Sequence, residues 1–409
     1  MVSKFTGKEY LMLDIAGLYG LDKETWEKRL EWFYKHENEL EDLSSSADEP
    51  NCYMAAVNAW RDVQAGKPIG YAINLDATAS GCQILALLTG DKQSAARVNL
   101  INTGAREDLY TYIYNKIKEV APISASITRD VVKKAIMTSL YGSKKKPVEV
   151  FGKAYYDIFE QVMNQELPGV WHLNKWLLDN WDSRKTVYSW LMPDNFHVDS
   201  VVYNNVKYSC KCMGQDIEFY KEVEGCTEHG RFLSANIAHS VDGFINREIT
   251  IRAQFTQEYK DYLKKLLNLN AIFSNSDDIY YKQSKDCKKM FKTLWKRYEE
   301  CGFLSARILQ YVNKETIKTV GVKGIEALRE LVDSLPEKTF EVFSIHDCFH
   351  VLPNYGNELR KLYREICSGI AKSNMLVDIL SHAFEDEVLF TKLSDDLDKL
   401  VLESEYAVC

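Results

Sequence analysis

The N-terminal part of the chain shows the apolar spacing of amphipathic helices. Large apolar side chains such as Trp26, Leu30 and Phe33 recur at helical spacing over 22–43, which predicts one helix that ends in the polar loop SSSADEP. A second helix is predicted over about 51–65, before the turn AGKPIG.

A strand and a turn of small residues follow. The apolar run GYAINLD ends on Asp76, and the small residues TASG then lead into a helix. Further helices are predicted over 105–119 and 128–141, and Gly142 stops the second of them. Residues 152–191 are rich in aromatic side chains and are predicted to be mostly helical.

The C-terminal half alternates between short strands and charged helices. Alternating apolar and polar residues between Pro193 and about Cys226 predict β-hairpins, whereas 255–335 returns to helical spacing. The run FEVFSIHDCFHVL predicts a strand, a turn and a second strand over 340–352, with Asp347 at the tip. Two helices are predicted to close the chain, so the predicted fold class is α+β.

Composition narrows the class of protein. The 409 residues are 46% hydrophobic and 12% aromatic, which is enough to build more than one globular core. No apolar run approaches the roughly 20 residues that span a bilayer, so no membrane association is expected. The ten cysteines form no CxxC pair, which argues against a zinc site and favours reduced thiols in a cytoplasmic protein.

The charge is negative overall but unevenly distributed. A net charge of −8 argues mildly against a protein that binds nucleic acid over its whole surface. The segment KQSKDCKKMFKTLWKR nevertheless predicts a basic helix face with Phe291 and Trp295 interleaved. That face comprises Lys282, Lys285, Lys288, Lys289, Lys292, Lys296 and Arg297. It is compatible with docking of nucleic acid or of a partner, and equally with a solvated amphipathic helix.

Two carboxylates occupy the ends of predicted strands. Asp76 ends one strand and Asp347 lies at the hairpin tip, where a half-buried charge is costly unless a partner neutralises it. Two such carboxylates can hold two divalent metal ions, which activate an attacking hydroxyl and stabilise a leaving pyrophosphate. Taken singly, a strand-end aspartate is more often a turn or cap residue.

The predicted helix over 128–141 carries two cations on one face. Arg129 and Lys133 are helical neighbours that can both meet a triphosphate, and Tyr141 follows near the end of the helix. The alternative is a solvated face that ends in a packing aromatic and a C-cap glycine. From the residues alone, a phosphoryl-transfer enzyme is one plausible function among several.

Taken together, these segments resemble the single-subunit RNA polymerases of phages and mitochondria. DATASGCQ with RVNL and EDLY is similar to the family's first palm motif, RDVVKKAIMTSLYGS to its fingers-helix motif, and SIHDCF to its second palm motif. The resemblance continues in order along most of the chain. It includes GLDK, KRLEWF, HEN, DEPNCY, MPDNF, NIAHSVDG and the terminal LESEYAVC, which is similar to a C-terminal foot near the active site.

The resemblance implies metal-binding and nucleotide-binding roles. Asp76 and Asp347 would be the catalytic aspartates that bind two Mg²⁺ ions. Arg129 and Lys133 would hold the triphosphate of the incoming nucleotide, together with Lys23.

Further roles concern the base pair and the primer. Tyr141 would lie under the nascent base pair and help to select a ribose. His239 would contact the minor groove of that pair, and His346 would support the hairpin and the primer end. Lys134 is a weaker candidate for nucleotide binding.

The resemblance also implies an architecture. It is a right-hand polymerase palm, built on an antiparallel sheet, with mainly helical fingers and without the family's N-terminal domain and thumb. The implied divisions are a helical palm and fingers base (1–75), the palm motif with the fingers (76–243, including the fingers helix 128–142 and a hairpin region 193–230), a helical insertion (244–336), and the catalytic hairpin with C-terminal helices and foot (337–409).

The resemblance favours ribonucleotides over deoxynucleotides as substrates. Family A DNA polymerases share the palm and the fingers helix, but they carry a glutamate that blocks the 2′-hydroxyl and read His-Asp-Glu in the second motif. Here the corresponding positions are Gly81 and Cys348, which favours RNA synthesis from ribonucleoside triphosphates on a DNA template. The alternatives are a family A-like DNA polymerase fragment and an inactive scaffold subunit.

Departures from the family pattern set the expected partners. The missing thumb predicts a smaller subunit that supplies it with the N-terminal domain. This arrangement resembles the two-subunit RNA polymerase of schitovirus-type phages, whose large subunit this chain resembles, and it implies the cytoplasm of an infected bacterial host. Few arginines or lysines in 197–230 argue against autonomous promoter recognition and favour an open or single-stranded template, or a DNA-recruiting protein.

Overall fold

The computed structural model describes residues 2–121, 127–143, 145–228, 230, 232–268 and 285–409, without the side chains of Ala154 and Lys285. Over these residues the protein has an α+β fold. The helices are α1 (Gly7–Ala16), α2 (Trp26–His36), α3 (Pro50–Gln64), α4 (Ser80–Thr89), α5 (Lys92–Arg97), α6 (Leu109–Val120), α7 (Arg129–Leu140), α8 (Lys145–Glu166), α9 (Pro168–Asp179), α10 (Leu233–Gln254), α11 (Gln257–Leu266), α12 (Lys285–Cys301), α13 (Lys314–Ile317), α14 (Gly321–Asp333), α15 (Gly356–Lys372), α16 (Met375–Phe384) and α17 (Leu397–Leu402).

The strands pair in antiparallel fashion. They are β1 (Ile73–Asp76), β2 (Val187–Leu191), β3 (His197–Val201), β4 (Tyr203–Cys212), β5 (Gln215–Glu224), β6 (Val342–Ile345) and β7 (Cys348–Val351), and β4 and β5, with ten residues each, are the longest of those described. Strands β2 and β3 form one pair, β4 and β5 form another, and the third sheet has the order β1–β7–β6.

The three-stranded sheet carries both predicted metal ligands. Asp76, the last residue of β1, lies opposite Cys348, the first residue of β7. Strands β6 and β7 are joined by a two-residue turn of His346 and Asp347, so the predicted strand, turn and strand are confirmed. Leu75 is 2% exposed, and a slip of one residue would move such core residues to the open face. Burial of the other face therefore fixes which side chains point to solvent.

Two hydrophobic cores support the fold. The larger one includes most helices from α1 to α10 together with α15, α16 and α17. Helix α4 lies deep inside it, because every residue from Cys82 to Thr89 is buried. The smaller core is built from residues between Phe255 and Leu335. It lies within the predicted insertion.

Two helix predictions are wrong. Three helices, α15, α16 and α17, close the chain where two were predicted, because the short α17 packs against α15 as a separate element. The helix predicted over 22–43 ends at His36, because Arg61 from α3 donates a hydrogen bond to the carbonyl of Glu37 at 2.9 Å and so satisfies a helix-end acceptor from outside. The stretch 152–191 is mostly helical, as predicted, through α8 and α9, and its last five residues form β2, which pairs with β3.

The insertion also differs from its prediction in detail. Helix α10 runs without a break through the predicted boundary between 243 and 244. Arg297 does not belong to the basic face of α12, because its side chain is buried and forms an ion pair with Asp378 and another with Glu300. Lys282 and the side chain of Lys285 lie outside the described residues. The face that is exposed consists of Lys288, Lys289, Lys292 and Lys296.

Hydropathy gives no sign of membrane insertion in the described ranges. None of the helices there combines the length and the apolar character needed to cross a bilayer.

Candidate active site

A cleft of about 240 Å³ opens where the end of β1, the start of α4 and one face of α7 meet. Six of the residues singled out in the sequence line it: Lys23, Asp76, Arg129, Lys133, Tyr141 and Asp347. These residues come from segments far apart in the chain, so the fold itself brings them together.

The backbone around Asp76 is held from two sides. On one side the amide of Ala77 donates to the carbonyl of Asp347 at 3.1 Å, which ties the end of β1 to the hairpin tip. On the other side the amide of Asp76 donates to the carbonyl of Cys409 at 3.2 Å, and the amide of Cys409 donates back at 2.9 Å. The C-terminal segment thus lies beside the cleft.

A buried glutamine fixes this C-terminal segment. The Gln83 amide nitrogen donates to the carbonyls of Val98 at 2.8 Å and Ala407 at 2.9 Å, and its oxygen accepts from the Tyr363 hydroxyl at 2.7 Å. A fully satisfied buried side chain of this kind rigidifies its surroundings. The floor of the cleft is therefore held in one arrangement.

Burial and the negative charge of Asp347 raise the pKa of two other carboxyl groups, those of Asp76 and Asp242. Asp76 is solvent-exposed, but the cleft walls desolvate it enough to raise its pKa to about 6, and the negative charge of Asp347 adds to this effect. Burial, and then Asp347, likewise raises the pKa of Asp242 on α10 to about 6. The charge of Arg106 acts in the opposite direction on Asp76. The site concentrates negative charge that a cation would relieve.

The donor chemistry of this site fits Mg²⁺. Mg²⁺ prefers oxygen ligands and is usually held by one or two carboxylates together with substrate phosphates. Asp76 and Asp347 supply such carboxylates, and their mutual repulsion is the observation that favours a cation between them. No group of three or more His, Cys, Asp or Glu side chains in the described part of the chain is arranged to hold a metal on its own. The remaining ligands would be water molecules and substrate oxygens.

One face of α7 presents cations to the cleft. Arg129, Lys133, Met137 and Tyr141 line it at intervals of four residues, while residues of the opposite face such as Ile136 are buried in the core. The helical period of 3.6 residues produces this division. The prediction that Arg129 and Lys133 share one helix face is confirmed.

An aromatic ring lies against both cations. The Tyr110 ring centroid is 5.6 Å from the Arg129 guanidinium carbon and 5.4 Å from the Lys133 ammonium. These distances are within the range of cation–π attraction. Tyr110 thus helps to hold both side chains along the cleft wall.

Tyr141 lines the cleft beside Gly81. A Cβ atom added to Gly81 would lie 3.0 Å from the Tyr141 hydroxyl, so the absence of a side chain at Gly81 leaves room for that hydroxyl. The Tyr141 ring lies 5.5 Å from the ring of His239, and His239 itself lines a neighbouring open groove.

Lys23 lines the cleft, whereas His346 and Lys134 do not. Lys23 is exposed, with its ammonium 3.9 Å from a carboxylate oxygen of Asp22. His346 is exposed in the hairpin turn, has a φ of 57°, and accepts a hydrogen bond from Asn246 at its carbonyl. Lys134 is exposed on α7 and is not among the residues that line the cleft.

Sequence reasoning missed several charged residues of the site. Arg106 lines the cleft and its Nε donates to the Cys409 thiol at 3.4 Å. Asp108 also lines it and forms an ion pair with Arg129. Asp242 is electrostatically coupled to Asp347. In the sequence these three residues are marked only by their position in or near a motif. Their roles depend on partners that are distant in the chain, and sequence patterns do not reveal such partners.

Carboxylates and helix-borne cations that line one cleft can bind a divalent cation and phosphate groups, respectively. Comparison with protein families gives the specific assignment. Residues 3–180, less than half of the chain, match the family described as DNA-dependent RNA polymerase. The resemblance to single-subunit RNA polymerases is therefore confirmed for these residues.

Relatives come from both groups that the resemblance indicated. A DNA-directed RNA polymerase of Pseudomonas phage phiKMV is 27% identical over 177 residues, covering 35% of this chain and 22% of the phage protein. The human mitochondrial enzyme is 29% identical over 167 residues, covering 33% of this chain and 13% of its own length. A probable DNA-directed RNA polymerase of Neurospora crassa is 27% identical over 163 residues, covering 35% and 18% respectively. The chain thus spans less than a quarter of each of these relatives.

The carboxylate cluster predicts a pH-dependent stability. A carboxyl group whose folded pKa is raised disfavours its charged form in the fold, so stability falls as pH rises from about 4 through 6. Asp347→Asn removes the charge that repels Asp76 and Asp242. We expect a higher melting temperature than wild type at pH 8 with chelator present, and a smaller difference at pH 4.5, where the two remaining carboxyls are largely protonated. Thermal melts of Asp347→Asn and of the exposed control Asp395→Asn test this; a gain at pH 8 no larger than the control's would contradict it.

Proposed function

We propose that this chain is the catalytic subunit of a DNA-directed RNA polymerase that adds ribonucleoside triphosphates to RNA on a DNA template. The observation that carries the proposal is the single cleft in which Asp76 and Asp347 face Arg129, Lys133 and Tyr141. The family assignment of residues 3–180 supports it. We therefore propose that the nucleotide and its metal ions bind in this cleft, where acidic and basic side chains lie close together.

In the proposed reaction the chain's residues orient charge. Asp76 and Asp347 would hold two Mg²⁺ ions, which when bound lower the pKa of the attacking 3′-hydroxyl and stabilise the leaving pyrophosphate. Arg129 and Lys133 bind the triphosphate, and Lys23, in the lining of the same cleft, approaches it. The triphosphate is thereby aligned for in-line attack, which lowers the barrier through positioning and electrostatics rather than covalent chemistry.

Selection of ribose is proposed to depend on Tyr141 and Gly81. Gly81 has no side chain, and a Cβ atom there would lie 3.0 Å from the Tyr141 hydroxyl. Family A DNA polymerases carry a glutamate at the corresponding position. A 2′-hydroxyl can then enter and hydrogen-bond rather than clash. This favours RNA synthesis over the alternative of a DNA polymerase fragment.

The remaining candidates are proposed to contact nucleic acid. His239, exposed beside Tyr141, would meet the minor groove of the new base pair, and His346 would support the primer end.

On this view 1–75 is the base of palm and fingers, 76–243 carries the fingers, 244–336 is an insertion, and 337–409 completes the palm. The inactive-scaffold alternative is disfavoured because both aspartates and both cations are present in the cleft.

We also propose that a smaller subunit supplies the thumb and N-terminal domain. This proposal follows the resemblance to the two-subunit polymerases of schitovirus-type phages, and it implies the cytoplasm of an infected bacterium. Purification of the native protein with intact-mass measurement distinguishes a second polypeptide from a longer single chain.

Template capture is proposed to involve an open strand or a recruiting protein. The hairpin β4–β5 is almost wholly exposed but is not basic. It has three lysines (Lys207, Lys211 and Lys221) and four carboxylates (Asp216, Glu218, Glu222 and Glu224). One of the lysines, Lys207, is already paired with Glu218 at 2.7 Å. Such a surface gains little from phosphate contacts.

Removal of either aspartate tests the proposal directly. Asp76→Ala and Asp347→Ala should each reduce Mg²⁺-dependent extension of an RNA primer on a single-stranded DNA template by about a thousandfold, equivalent to about 4 kcal/mol of transition-state stabilisation. The assay uses the protein with any subunit that co-purifies. Asp395→Ala is the matched control and should retain activity. Extension at the wild-type rate by either cleft variant would refute the assignment.

Ribose selection gives an independent test. Tyr141→Phe removes the hydroxyl but keeps the ring, and the loss of one hydrogen bond should lower the preference for ribonucleotides over deoxynucleotides by about tenfold. The ratio of kcat/KM for the two substrates measures this preference. Tyr34→Phe, on the exposed side of α2, should leave the ratio unchanged. An unchanged ratio in Tyr141→Phe would exclude this role of the hydroxyl.

A further inference from the structure

The Arg129 guanidinium is held by two carboxylates of very different character. Its Nε and Nη2 atoms lie 2.8 Å and 2.7 Å from the same oxygen of Asp108. Its Nη1 atom lies 3.1 Å from Asp130, the next residue in the chain. A triphosphate that binds Arg129 must share the guanidinium with these two groups or displace them.

Asp108 is a fixed partner. Its carboxylate caps the N-terminus of α6 by accepting from the amides of Tyr110 at 3.1 Å and Thr111 at 3.4 Å, and from the Thr111 hydroxyl at 2.8 Å. The side chain is 20% exposed. Although burial acts to raise the pKa of Asp108, the hydrogen bonds from Thr111 and Arg129 outweigh it and lower the pKa. The carboxylate is therefore charged and anchored by its own helix.

Asp130 is a loose partner. Its side chain is 80% exposed and meets Arg129 through one atom pair. Exposed ion pairs of this kind contribute little, because solvent screens them and ordering two side chains costs entropy. Asp130 can leave the guanidinium at low cost, whereas Asp108 cannot.

We infer that Asp108 is a positioning residue that holds Arg129 by its Nε–Nη2 edge, and that the nucleotide triphosphate takes the place of Asp130 at Nη1. A planar guanidinium presents separate edges, so one can bind a carboxylate while another binds a phosphate. This inference rests on the proposed function, since it concerns how the same cleft binds its triphosphate.

The contacts that hold Arg129 lower the entropic cost of binding the triphosphate. A free arginine loses side-chain freedom when it grips a ligand, but Arg129 is already ordered by Asp108, by the Thr111 hydroxyl at 3.1 Å and by the Tyr110 ring. Asp130 competes for the edge that the phosphate needs. The two aspartates should therefore influence nucleotide affinity in opposite directions.

Two asparagine variants separate these effects. Asp108→Asn keeps a good helix cap but weakens the charge-assisted hold on Arg129, so we expect triphosphate affinity to fall about tenfold, with KM raised more than kcat is lowered. Asp130→Asn removes a competitor and should tighten binding about twofold. The affinity is measured with a fluorescent, non-hydrolysable ribonucleoside triphosphate and Mg²⁺ on the protein as purified with its partners. Asp395→Asn serves as the neutral control.

The outcomes are distinct. Wild-type affinity in Asp108→Asn, or equal or weaker affinity in Asp130→Asn, would overturn the inference while leaving the polymerase assignment intact. Both expected shifts without any RNA synthesis would count against the assignment alone. A wild-type protein that does not bind the triphosphate would refute both.

Discussion

The antiparallel pairing of β1 with β7 is the constraint on which the site depends. It sets Asp76 opposite Cys348 and so brings it beside Asp347, which is far away in sequence. The hydrogen bond from Ala77 to the carbonyl of Asp347 and the return pairing with Cys409 hold this geometry from both sides. Because one face of the sheet is buried in the larger core, the register cannot slip without moving apolar residues into solvent.

The fold concentrates opposing charges across a narrow cleft. Burial and the charge of Asp347 raise the pKa of Asp76 in the sheet and of Asp242 on α10, whereas α7 supplies Arg129 and Lys133 to the lining of the same cleft. Like charges held together by a rigid scaffold cost stability, and such a cost is typical of sites prepared for a ligand of opposite charge. A ligand that contains both phosphate groups and metal cations would complement the carboxylates and the basic side chains of this cleft.

Local features of the site were predictable from sequence, and tertiary ones were not. The hairpin tip at Asp347 follows from strand alternation and turn residues, and the shared face of Arg129 and Lys133 follows from helical spacing. The roles proposed for the motif residues came from the family resemblance and not from the structure. By contrast, the ion pair that holds Arg129 joins the starts of two helices, and the burial of Arg297 depends on Asp378 from a later helix. Pattern along the chain carries no information about such partners.

The most direct test of the account is to locate the divalent metal that Asp76 and Asp347 are proposed to hold. Fe²⁺ that replaces Mg²⁺ reduces added hydrogen peroxide to hydroxide and a hydroxyl radical and is itself oxidised to Fe³⁺. The radical cleaves the nearby backbone, and mass spectrometry maps the cuts. The account predicts cleavage near 76–78 and 345–348, suppressed by excess Mg²⁺ and lost in Asp347→Ala. Cleavage confined to other segments, or unchanged by that substitution, would contradict it.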